Sequence, residues 1–439
     1  MNKHKNNFFL ELNKKIINNK VKVGIIGLGY VGLNLLYLFS KKKIDSYGFD
    51  KDLNRIKKIK KKISYLSDLR NKDLDHIKSQ NLFHTESYKK INELDIIIIT
   101  VPTPLNKNKT PDLKAIEDVI IKIKTFIKKG QSIILESTVY PGATYKVIGN
   151  ILKNKKLNIG KDIFLSYSPE RISPGDLQSR KFNIHHVPKV VSGVSKKCLS
   201  INSKLYKKIF LKIVKAGNME EAEMSKLLEN VYRSVNISLV NELKIICDKI
   251  NINIHKVINL AETKPYGFRV FNPGPGIGGH CIPIDPFFLS WLAKKNGVRS
   301  SFIENSGILN DKIENWIFKK IKKEINQIKK KTINLLFLGI TYKKNINDVR
   351  ESPAINLIER CLKNRINVKY NDPYVKSIKI KNRILNSTSL EQNFKKIDLV
   401  ILTTDHDVYN YKKIYNKFNK IIDTRGRFYN IDNTKIVHA

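Results

Sequence analysis

Short apolar runs alternate with helix-length segments over the first half of the chain. The runs of strand length are residues 21–26, 46–50, 95–100, 132–136 and 163–167. Apolar strands that alternate with helices are typical of a parallel sheet covered by helices on both faces. The pattern therefore predicts a Rossmann-like, doubly wound domain over residues 21–215.

The pattern changes near residue 216. Residues 218–250 contain no Pro or Gly, and their apolar positions recur at helical spacing. These positions are Met224, Leu227, Leu228, Val231, Val235, Leu239, Leu243 and Ile246. We predict one long helix here, which serves as a connector or as the core of a dimer. It opens a central helical domain over residues 216–330, and Cys247 lies on its apolar stripe.

The alternation returns after residue 331, with strand-length runs at 334–338, 367–370, 398–402 and 420–423. Between the first two runs, Ser352 and Pro353 suit the N-cap and first position of a helix, whose apolar face includes Cys361. The chain is therefore predicted to be α/β, with two Rossmann-like doubly wound parallel-sheet domains, 21–215 and 331–439, joined by the central helical domain. Residues 1–20 are expected to be a frayed polar extension.

The chain is strongly basic, with 82 Lys and Arg against 39 Asp and Glu and a formal charge of +43. Such a charge invites a nucleic-acid or anionic-membrane interpretation. The lysines are spread along the whole chain without a block, so we expect no nucleic-acid partner and only a mild attraction for a phosphorylated small substrate. No apolar run is long enough to span a membrane.

The four cysteines, at positions 198, 247, 281 and 361, form no CxxC pair and no metal-ligand spacing. They indicate a reduced, cytoplasmic protein without a metal site. The N-terminal sequence has no apolar core of signal-peptide length.

A glycine pattern lies between the first strand and the first predicted helix of the sheet. Gly27, Gly29 and Gly32 form GxGxxG, which in this context predicts a dinucleotide site: a tight turn, a close approach of the pyrophosphate and close helix packing. Asp50 ends the next strand, where a carboxylate accepts hydrogen bonds from the ribose hydroxyls and repels a 2′-phosphate. The sequence therefore favours NAD over NADP.

Three further strands of the first domain end in polar residues. The segments that follow them are 101–104, 136–142 and 168–171, and ligands bind at the carboxyl ends of parallel strands. Each of the first two, which include Thr103 and Thr138, is equally consistent with a Pro-rich turn. Glu170 is either a base at the same crevice or a solvated loop residue.

A single cysteine ends a glycine-rich loop at residues 274–285. Four glycines in six positions leave the main chain bare, so a ligand can approach it closely, and Cys281 at the end of the loop is a candidate nucleophile. The alternative is a structural turn. On the long helix, Lys226, Asn230 and Arg233 share one face, which is either part of the same site or a solvated polar face.

Seven motifs together resemble the UDP-glucose/GDP-mannose dehydrogenase family, in the order typical of that family. They are GLGYVG, VPTP, ESTVYPG, SPER, KLLENVYR, GPGIGGHCIPID and FLGITYKKNINDVRESP. The resemblance implies oxidation of a sugar C6 hydroxyl to a carboxylate with two NAD, through a thiohemiacetal and a thioester on the cysteine. It also implies an active site in the cleft between the NAD domain and the nucleotide-sugar domain.

The resemblance also assigns residues. The catalytic set is Cys281, Lys226, Asn230, Asp285, Glu170 and Thr138. The cofactor set is Gly27, Gly29, Tyr30, Val31, Gly32, Asp50, Arg55, Thr103 and Thr138. The substrate set is Glu170, Arg171, Lys226, Asn230, Arg269, Phe271, Gly274, Gly278, Lys343 and Arg350, with Arg269 contributed across a dimer.

The residues around the cysteine depart from the UDP-glucose branch of the family. His280 and Ile284 replace a serine and a lysine that are usual in that branch, and Pro174 replaces a second glutamate. The loop is more similar to enzymes acting on UDP-N-acetylhexosamines, so we expect UDP-N-acetylglucosamine as the substrate, in surface polysaccharide synthesis. The alternatives are UDP-glucose, UDP-N-acetylmannosamine, or a single-step Rossmann hydroxyacid dehydrogenase. A homodimer or higher homo-oligomer is expected.

Overall fold

The structure is a computed structural model that describes residues 7–66, 68–171, 184–279, 282–391, 396–431 and 433–439. The chain forms two compact units, Met1–Glu229 and Asn230–Ala439. The three-part boundaries expected from the sequence remain a prediction. Among the described residues, no helix is long and apolar enough to cross a membrane, and no group of three or more His, Cys, Asp or Glu side chains could hold a metal ion.

A six-stranded parallel sheet forms the core of the first unit. Its strands are β1 Lys22–Ile26, β2 Asp45–Asp50, β3 Leu82–His84, β4 Ile96–Ile99, β5 Ser132–Leu135 and β6 Phe164–Tyr167. Their order is β3-β2-β1-β4-β5-β6, and every pairing is parallel. This order reverses between β1 and β4, the point where dinucleotides bind in the Rossmann fold. The predicted doubly wound domain is confirmed.

Helices cover this sheet, and a small parallel pair of strands lies beside it. The α-helices are α1 Phe8–Ile17, α2 Tyr30–Lys41, α3 Leu53–Lys60, α4 Lys114–Ile123, α5 Asn150–Asn154 and α6 Lys196–Tyr206. Short 3-10 helices span Asn71–His76, Ser79–Asn81, Thr85–Glu93 and Ile184–His186, and a π turn spans Tyr145–Gly149. The small pair consists of β7 Lys189–Val191 and β8 Ile213–Lys215. Its strands and β3 are too short for the sequence pattern to have predicted them.

The expectation of a frayed extension over residues 1–20 is wrong for helix α1. Asn7 caps this helix, accepting a hydrogen bond from the amide of Leu10. Leu12 and Ile16 are buried in the core of the first unit, and α1 packs against α6. An amphipathic helix gains its stability from tertiary packing of its apolar face. The many Lys and Asn residues around Leu12 and Ile16 made this apolar face hard to recognise in the sequence.

Helix α7, Met219–Lys249, has 31 residues and matches the predicted long helix. The division between the two units falls after Glu229, within this helix. Its buried side carries polar side chains beside apolar ones such as Leu227 and Val231, and several of its large apolar side chains are exposed. The buried polar side chains are Glu223, Lys226, Asn230, Ser234, Ser238, Asn241 and Lys244, and the exposed large apolar ones are Met224, Leu228, Tyr232, Leu239, Leu243 and Ile246.

A five-stranded parallel sheet forms the core of the second unit, and an antiparallel hairpin lies beside it. The sheet strands are β9 Asn334–Leu338 and β10 Asn367–Asn371, followed after the hairpin by β13 Leu399–Leu402, β14 Ile421–Asp423 and β15 Ile436–His438. The hairpin strands are β11 Ser377–Ile380 and β12 Arg383–Asn386. The sheet order β10-β9-β13-β14-β15 is also doubly wound, with its switch point between β9 and β13. The second predicted α/β domain is confirmed.

The helices of the second unit begin with the later half of α7. They continue with α8 Ile254–Glu262, α9 Asp285–Lys295, α10 Ser301–Asn326, α11 Pro353–Lys363 and α12 Tyr411–Lys417. Cys361 on α11 and Cys247 on α7 are buried in apolar clusters, as predicted. Ser352 precedes α11 but makes no side-chain cap; its hydroxyl instead donates to the carbonyl of Ile340 at 2.7 Å.

Candidate active site

The three glycines after β1 have three different surroundings. Gly27 has a φ of +94°, in the region that glycine adopts without strain, so the chain turns sharply after the strand. A Cβ on Gly29 would meet nothing within 4 Å, whereas one on Gly32 would lie 1.9 Å from the carbonyl oxygen of Gly27. The space beside Gly29, at the start of α2, fits the close approach of a pyrophosphate to a helix N-terminus.

Asp50 lies at the end of β2, beside this loop. Its carboxylate accepts hydrogen bonds from the amide of Leu28 at 2.7 Å and of Asp52 at 2.8 Å. The guanidinium of Arg55 lies 3.4 Å from the same carboxylate. A buried acid held against the glycine loop fits the ribose of a dinucleotide, so the structure brings the predicted residues Gly29, Asp50 and Arg55 together.

Tyr30 and Val31, the other predicted cofactor residues of this loop, form the first turn of α2. The Tyr30 hydroxyl is buried and makes no hydrogen bond among the described residues. Val31 packs against the core of the first unit.

The loops after β4 and β5 are tied to each other. The Thr103 hydroxyl donates to the carbonyl of Thr138 at 2.7 Å, and the Ser137 hydroxyl donates to the carbonyl of Val101 at 2.6 Å. Because β4 and β5 are parallel neighbours, both loops lie at the carboxyl edge of the sheet. The structure therefore brings Thr103 and Thr138 together at the edge where the sequence placed them.

Glu170 and Lys226 meet after strand β6. The Lys226 ammonium donates to the carbonyl oxygen of Glu170 at 2.6 Å and lies 3.8 Å from the Glu170 carboxylate. Both side chains are largely buried. Burial raises the pKa of Glu170 to about 7, against the opposing charges of Lys226 and Lys189. A carboxyl with a pKa near neutrality is suited to general acid–base work.

Arg171 takes part in a structural clamp. Its Nε donates to Glu229 on α7 at 2.8 Å, and its Nη1 donates to the carbonyl of Pro188 at 3.1 Å. The guanidinium therefore joins the loop after β6 to α7. These contacts describe a residue that fixes the loop carrying Glu170, and a direct substrate contact by Arg171 remains a prediction.

Asn230 and Asp285 are paired in the second unit. The Asn230 amide donates to the carboxylate of Asp285, the first residue of α9, and both side chains are buried. His280 and Cys281, the predicted nucleophile, lie outside the described residues, as does Pro174. Arg233, expected on the same helix face, is exposed.

The glycine-rich loop over residues 274–279 packs tightly against its own chain. A Cβ on Gly278 would lie 2.6 Å from the carbonyl oxygen of Glu351, and one on Gly279 would lie 2.9 Å from the ring of Tyr342. The amide of Gly274 donates to the Asn241 side chain at 2.9 Å. At Gly278 and Gly279 the loop after β9 therefore fills the space that a side chain would need. The approach of a ligand to the main chain of this loop remains a prediction.

The remaining predicted substrate residues lie in less constrained surroundings. The ring of Phe271 packs edge-on against Tyr232, with 5.7 Å between centroids, and Arg269 is exposed. Lys343 is half-buried, and Arg350 donates to its neighbour Asp348 at 3.0 Å. Their assignment to the substrate remains a prediction.

Arg425 lies beside the glycine-rich loop, and the sequence did not single it out. A Cβ on Gly274 would lie 2.6 Å from its guanidinium, and its Nε donates to the carbonyl of Thr403 at the end of β13. The available signal was its position directly after β14, because strand ends carry function in doubly wound sheets. Among 82 basic residues that signal was too weak to single it out.

Comparison with known proteins shows that the chain is an NAD-dependent nucleotide-sugar dehydrogenase. The family models described as the UDP-glucose/GDP-mannose dehydrogenase NAD binding domain, central domain and UDP binding domain match residues 21–210, 220–312 and 336–430. The chain belongs to the UDP-glucose/GDP-mannose dehydrogenase family. Its cofactor is NAD and its substrate is a UDP-sugar.

Individual relatives differ in the sugar that their names specify. The UDP-N-acetyl-D-glucosamine 6-dehydrogenase of Salmonella typhi is 32% identical, over 89% of this chain and 91% of that protein. The UDP-N-acetyl-D-mannosamine dehydrogenase of Methanocaldococcus jannaschii is 33% identical, over 92% of each chain. The solved structure of the UDP-D-ManNAc dehydrogenase from Pyrococcus horikoshii superposes with a TM-score of 0.82 at 29% identity, covering 95% of this chain and 97% of that one.

Proposed function

We propose that this enzyme oxidises the C6 hydroxyl of a UDP-N-acetylhexosamine, most favourably UDP-N-acetylglucosamine, to the uronic acid in two successive oxidations. The observation that carries the proposal is the buried Glu170 carboxyl, with a pKa of about 7, beside the Lys226 ammonium. A base and a fixed cation in one place are what a hydrolytic step following oxidation requires.

The chain's own residues divide the chemistry between them. NAD supplies the hydride acceptor for each of the two oxidations. The Cys281 thiolate adds to the C6 aldehyde, which retains this reactive intermediate as a thiohemiacetal, and the second oxidation makes it a thioester. Glu170 takes a proton from water as its oxygen attacks the thioester carbon; the carbon–sulfur bond breaks, and carboxylate and thiol are released.

Lys226 and the Asn230–Asp285 pair complete the catalytic set. The Lys226 ammonium stabilises the oxyanions that develop at C6. Asn230 and Asp285, hydrogen-bonded to each other, hold the attacking water or the oxygen of the intermediate. Thr138, tied to Thr103, helps to position the same water.

The choice among hexosamines rests on the residues beside Cys281 and on the names of relatives. UDP-N-acetylmannosamine is the second candidate. The relative at 32% identity is named for UDP-N-acetylglucosamine, and the relative at 33% identity is named for UDP-N-acetylmannosamine. The epimers differ only in the orientation of single hydroxyl or acetamido groups, which a polar pocket distinguishes by its hydrogen bonds.

A substrate panel tests the proposal. UDP-glucose and the gluco, galacto and manno forms of the UDP-N-acetylhexosamines are each incubated with NAD, and NADH is followed by absorbance. We expect the highest kcat/KM with UDP-N-acetylglucosamine and about two NADH per sugar oxidised. Preference for another sugar would replace the proposed substrate, whereas one NADH per sugar would exclude the thioester route.

Cys281→Ser tests the covalent step separately. Serine retains the size of the side chain but is a poor nucleophile at neutral pH, so formation of uronic acid should fall by a factor of roughly a thousand or more while UDP-sugar binding persists. Cys247→Ser is the matched control, because that thiol is buried in an apolar cluster. A Cys281→Ser enzyme with full turnover would refute the assignment.

We also propose that two copies associate through the exposed apolar residues of α7, here called the α7 stripe: Met224, Leu228, Tyr232, Leu239, Leu243 and Ile246. With about 100° between successive helical residues, these side chains lie along one face of the helix. A contiguous exposed apolar surface is typical of a protein–protein interface. A homodimer built on this stripe also provides for the predicted contribution of Arg269 across the interface.

The setting of the enzyme follows from its proposed product. A UDP-N-acetylhexosaminuronic acid is a precursor for surface polysaccharide, and the expected location is the cytoplasm, where UDP-sugars and NAD are available. That nucleic acids are not partners remains a prediction from the dispersed distribution of lysines.

A further inference from the structure

A fully buried ion pair lies beneath the loop that carries Glu170. Lys189 is the first residue of β7, and Glu136 directly follows β5. The Lys189 ammonium donates to the Glu136 carboxylate at 2.8 Å. The two side chains are 4% and 0% exposed. Tyr206, the last residue of α6, donates its hydroxyl to the other oxygen of Glu136. Because the cost of desolvation opposes the Coulomb attraction, a buried ion pair contributes little net stability. Stability alone therefore does not explain this pair.

The same lysine also holds the main chain next to Glu170. Its ammonium donates to the carbonyl of Pro169 at 3.1 Å and lies over the rings of Tyr206 and Phe210, 5.0 and 5.6 Å from their centroids. Lys226 holds the next carbonyl, that of Glu170, at 2.6 Å. Two buried ammonium groups on different elements therefore fix two successive carbonyls of the loop.

The charges that act on the Glu170 carboxyl come from three elements. Lys226 and Glu229 belong to α7, Lys189 to β7, and Glu136 to the end of β5. The two lysines lower the pKa of Glu170 and the two glutamates raise it, while burial, the largest effect, raises it to about 7. Lys189 and Glu136 thus act on the carboxyl in opposite directions.

We propose that Lys189 and Glu136 are positioning residues for the reaction: the buried pair anchors the Pro169–Glu170 main chain and balances the charge around the Glu170 carboxyl. The inference rests on the proposed role of Glu170 as the base in thioester hydrolysis. It adds two residues, separated from each other by 53 positions, that would act through Glu170 without touching the substrate.

Opposite shifts in a pH profile test the proposal. The rate of uronic acid formation, measured by rapid quench in single turnovers, should rise with pH as Glu170 loses its proton. Lys189→Met removes a charge that favours the ionised form, so this rise should move to higher pH by about half a unit or more. Glu136→Gln removes a charge that opposes ionisation, so the rise should move to lower pH.

Two further variants separate positioning from stability. Tyr206→Phe removes a hydrogen bond to Glu136 but no charge, so it should lower the melting temperature and leave the pH profile in place. The double variant, Lys189→Met with Glu136→Gln, leaves no unpaired charge in the core. It should therefore fold even if one of the single variants does not. It should have a nearly normal profile but a kcat about tenfold lower with KM unchanged, because the Pro169 carbonyl has lost its donor.

The outcomes distinguish this inference from the proposed function. Glu170→Gln should abolish the rise with pH; if the rise persists, the role of Glu170 is wrong. If Glu170→Gln abolishes the rise but the Lys189 and Glu136 variants both leave it in place, or shift it in the same direction, the positioning proposal is wrong. A double variant with the wild-type kcat would overturn it as well.

Discussion

At the scale of single residues, neighbouring glycines of the first loop are required for different physical reasons. Gly29 borders open space, while Gly32 packs against the carbonyl of Gly27. The first reason concerns a ligand and the second concerns the fold. Replacing each glycine by alanine should therefore have separate effects: on cofactor binding at Gly29 and on stability at Gly32.

Gly29→Ala should raise the KM for NAD by about tenfold or more while the melting temperature stays the same. The backbone φ of −71° suits alanine, and the added methyl projects only into the space proposed for the pyrophosphate. Gly32→Ala should instead destabilise the protein by about 1–3 kcal/mol, since its methyl would overlap the Gly27 carbonyl. Steady-state kinetics and thermal melts of both variants check this, and unchanged NAD affinity in Gly29→Ala would exclude that approach.

Residues whose role depends on a local motif could be located from the sequence, but residues whose role depends on distant packing could not. Gly27, Gly29 and Asp50 follow strands at fixed spacing, and the structure brings them together. The close fit of Gly278 against Glu351, and the buried pairing of Lys189 with Glu136, join positions more than fifty residues apart. Composition and spacing carry no signal for such pairs.

At the scale of elements, helix α7 shows which part of a helical pattern a sequence can determine. The period of its apolar residues predicted the helix correctly. The sequence did not determine which face is buried. Polar side chains of the helix are buried because they form hydrogen bonds with residues that are distant in the sequence. Glu223, for example, accepts hydrogen bonds from the amide and hydroxyl of Thr144, and Lys244 donates to the carbonyl of Thr424.

Leu239→Lys in the α7 stripe should dissociate the proposed dimer. Leu239 is 49% exposed in a single chain, so a lysine costs the chain itself little, but burying its ammonium in an apolar interface is unfavourable. Leu211→Lys is the matched control, because that leucine is 74% exposed and lies outside the stripe. Sedimentation should show monomer for Leu239→Lys and dimer for Leu211→Lys; equal behaviour of the two variants would argue against the stripe.

Ile16→Ala in helix α1 should destabilise the protein by about 2–4 kcal/mol, because the isoleucine is fully buried against the first unit. Ile17→Ala, at the adjacent position, should change stability by less than about 0.5 kcal/mol, because that side chain is 60% exposed. Chemical denaturation of the two variants checks the difference. Equal effects would mean that α1 is frayed in solution.

At the scale of the whole molecule, the two sheets share a construction principle but differ in strand order. Alternating apolar runs were sufficient to predict that both are parallel and doubly wound. The short edge strands β3 and β15 were not predicted from the sequence. The hairpin β11–β12 was also missed, although Ile378 and Ile380 alternate with polar residues as in a half-buried strand.

NAD and UDP should protect different parts of the chain from amide hydrogen exchange. NAD should slow exchange in the loops after β1, β4 and β5, and UDP should slow it within residues 336–430, matched by the UDP binding domain model. NADP serves as a control, because Asp50 is expected to repel its 2′-phosphate. Protection of the first sheet by UDP alone would contradict the assignment of the two domains.

The exposed apolar stripe of α7 has a consequence for how the enzyme responds to its own concentration. One face of the helix carries Lys226 and Asn230, and the opposite face carries the surface proposed to meet a second copy. Given that dimer, and given the predicted contribution of Arg269 to the partner's substrate site, substrate binding and subunit association would each strengthen the other by the same factor. Dilution should then weaken affinity for the UDP-sugar, and saturating substrate should oppose the dissociation that dilution causes.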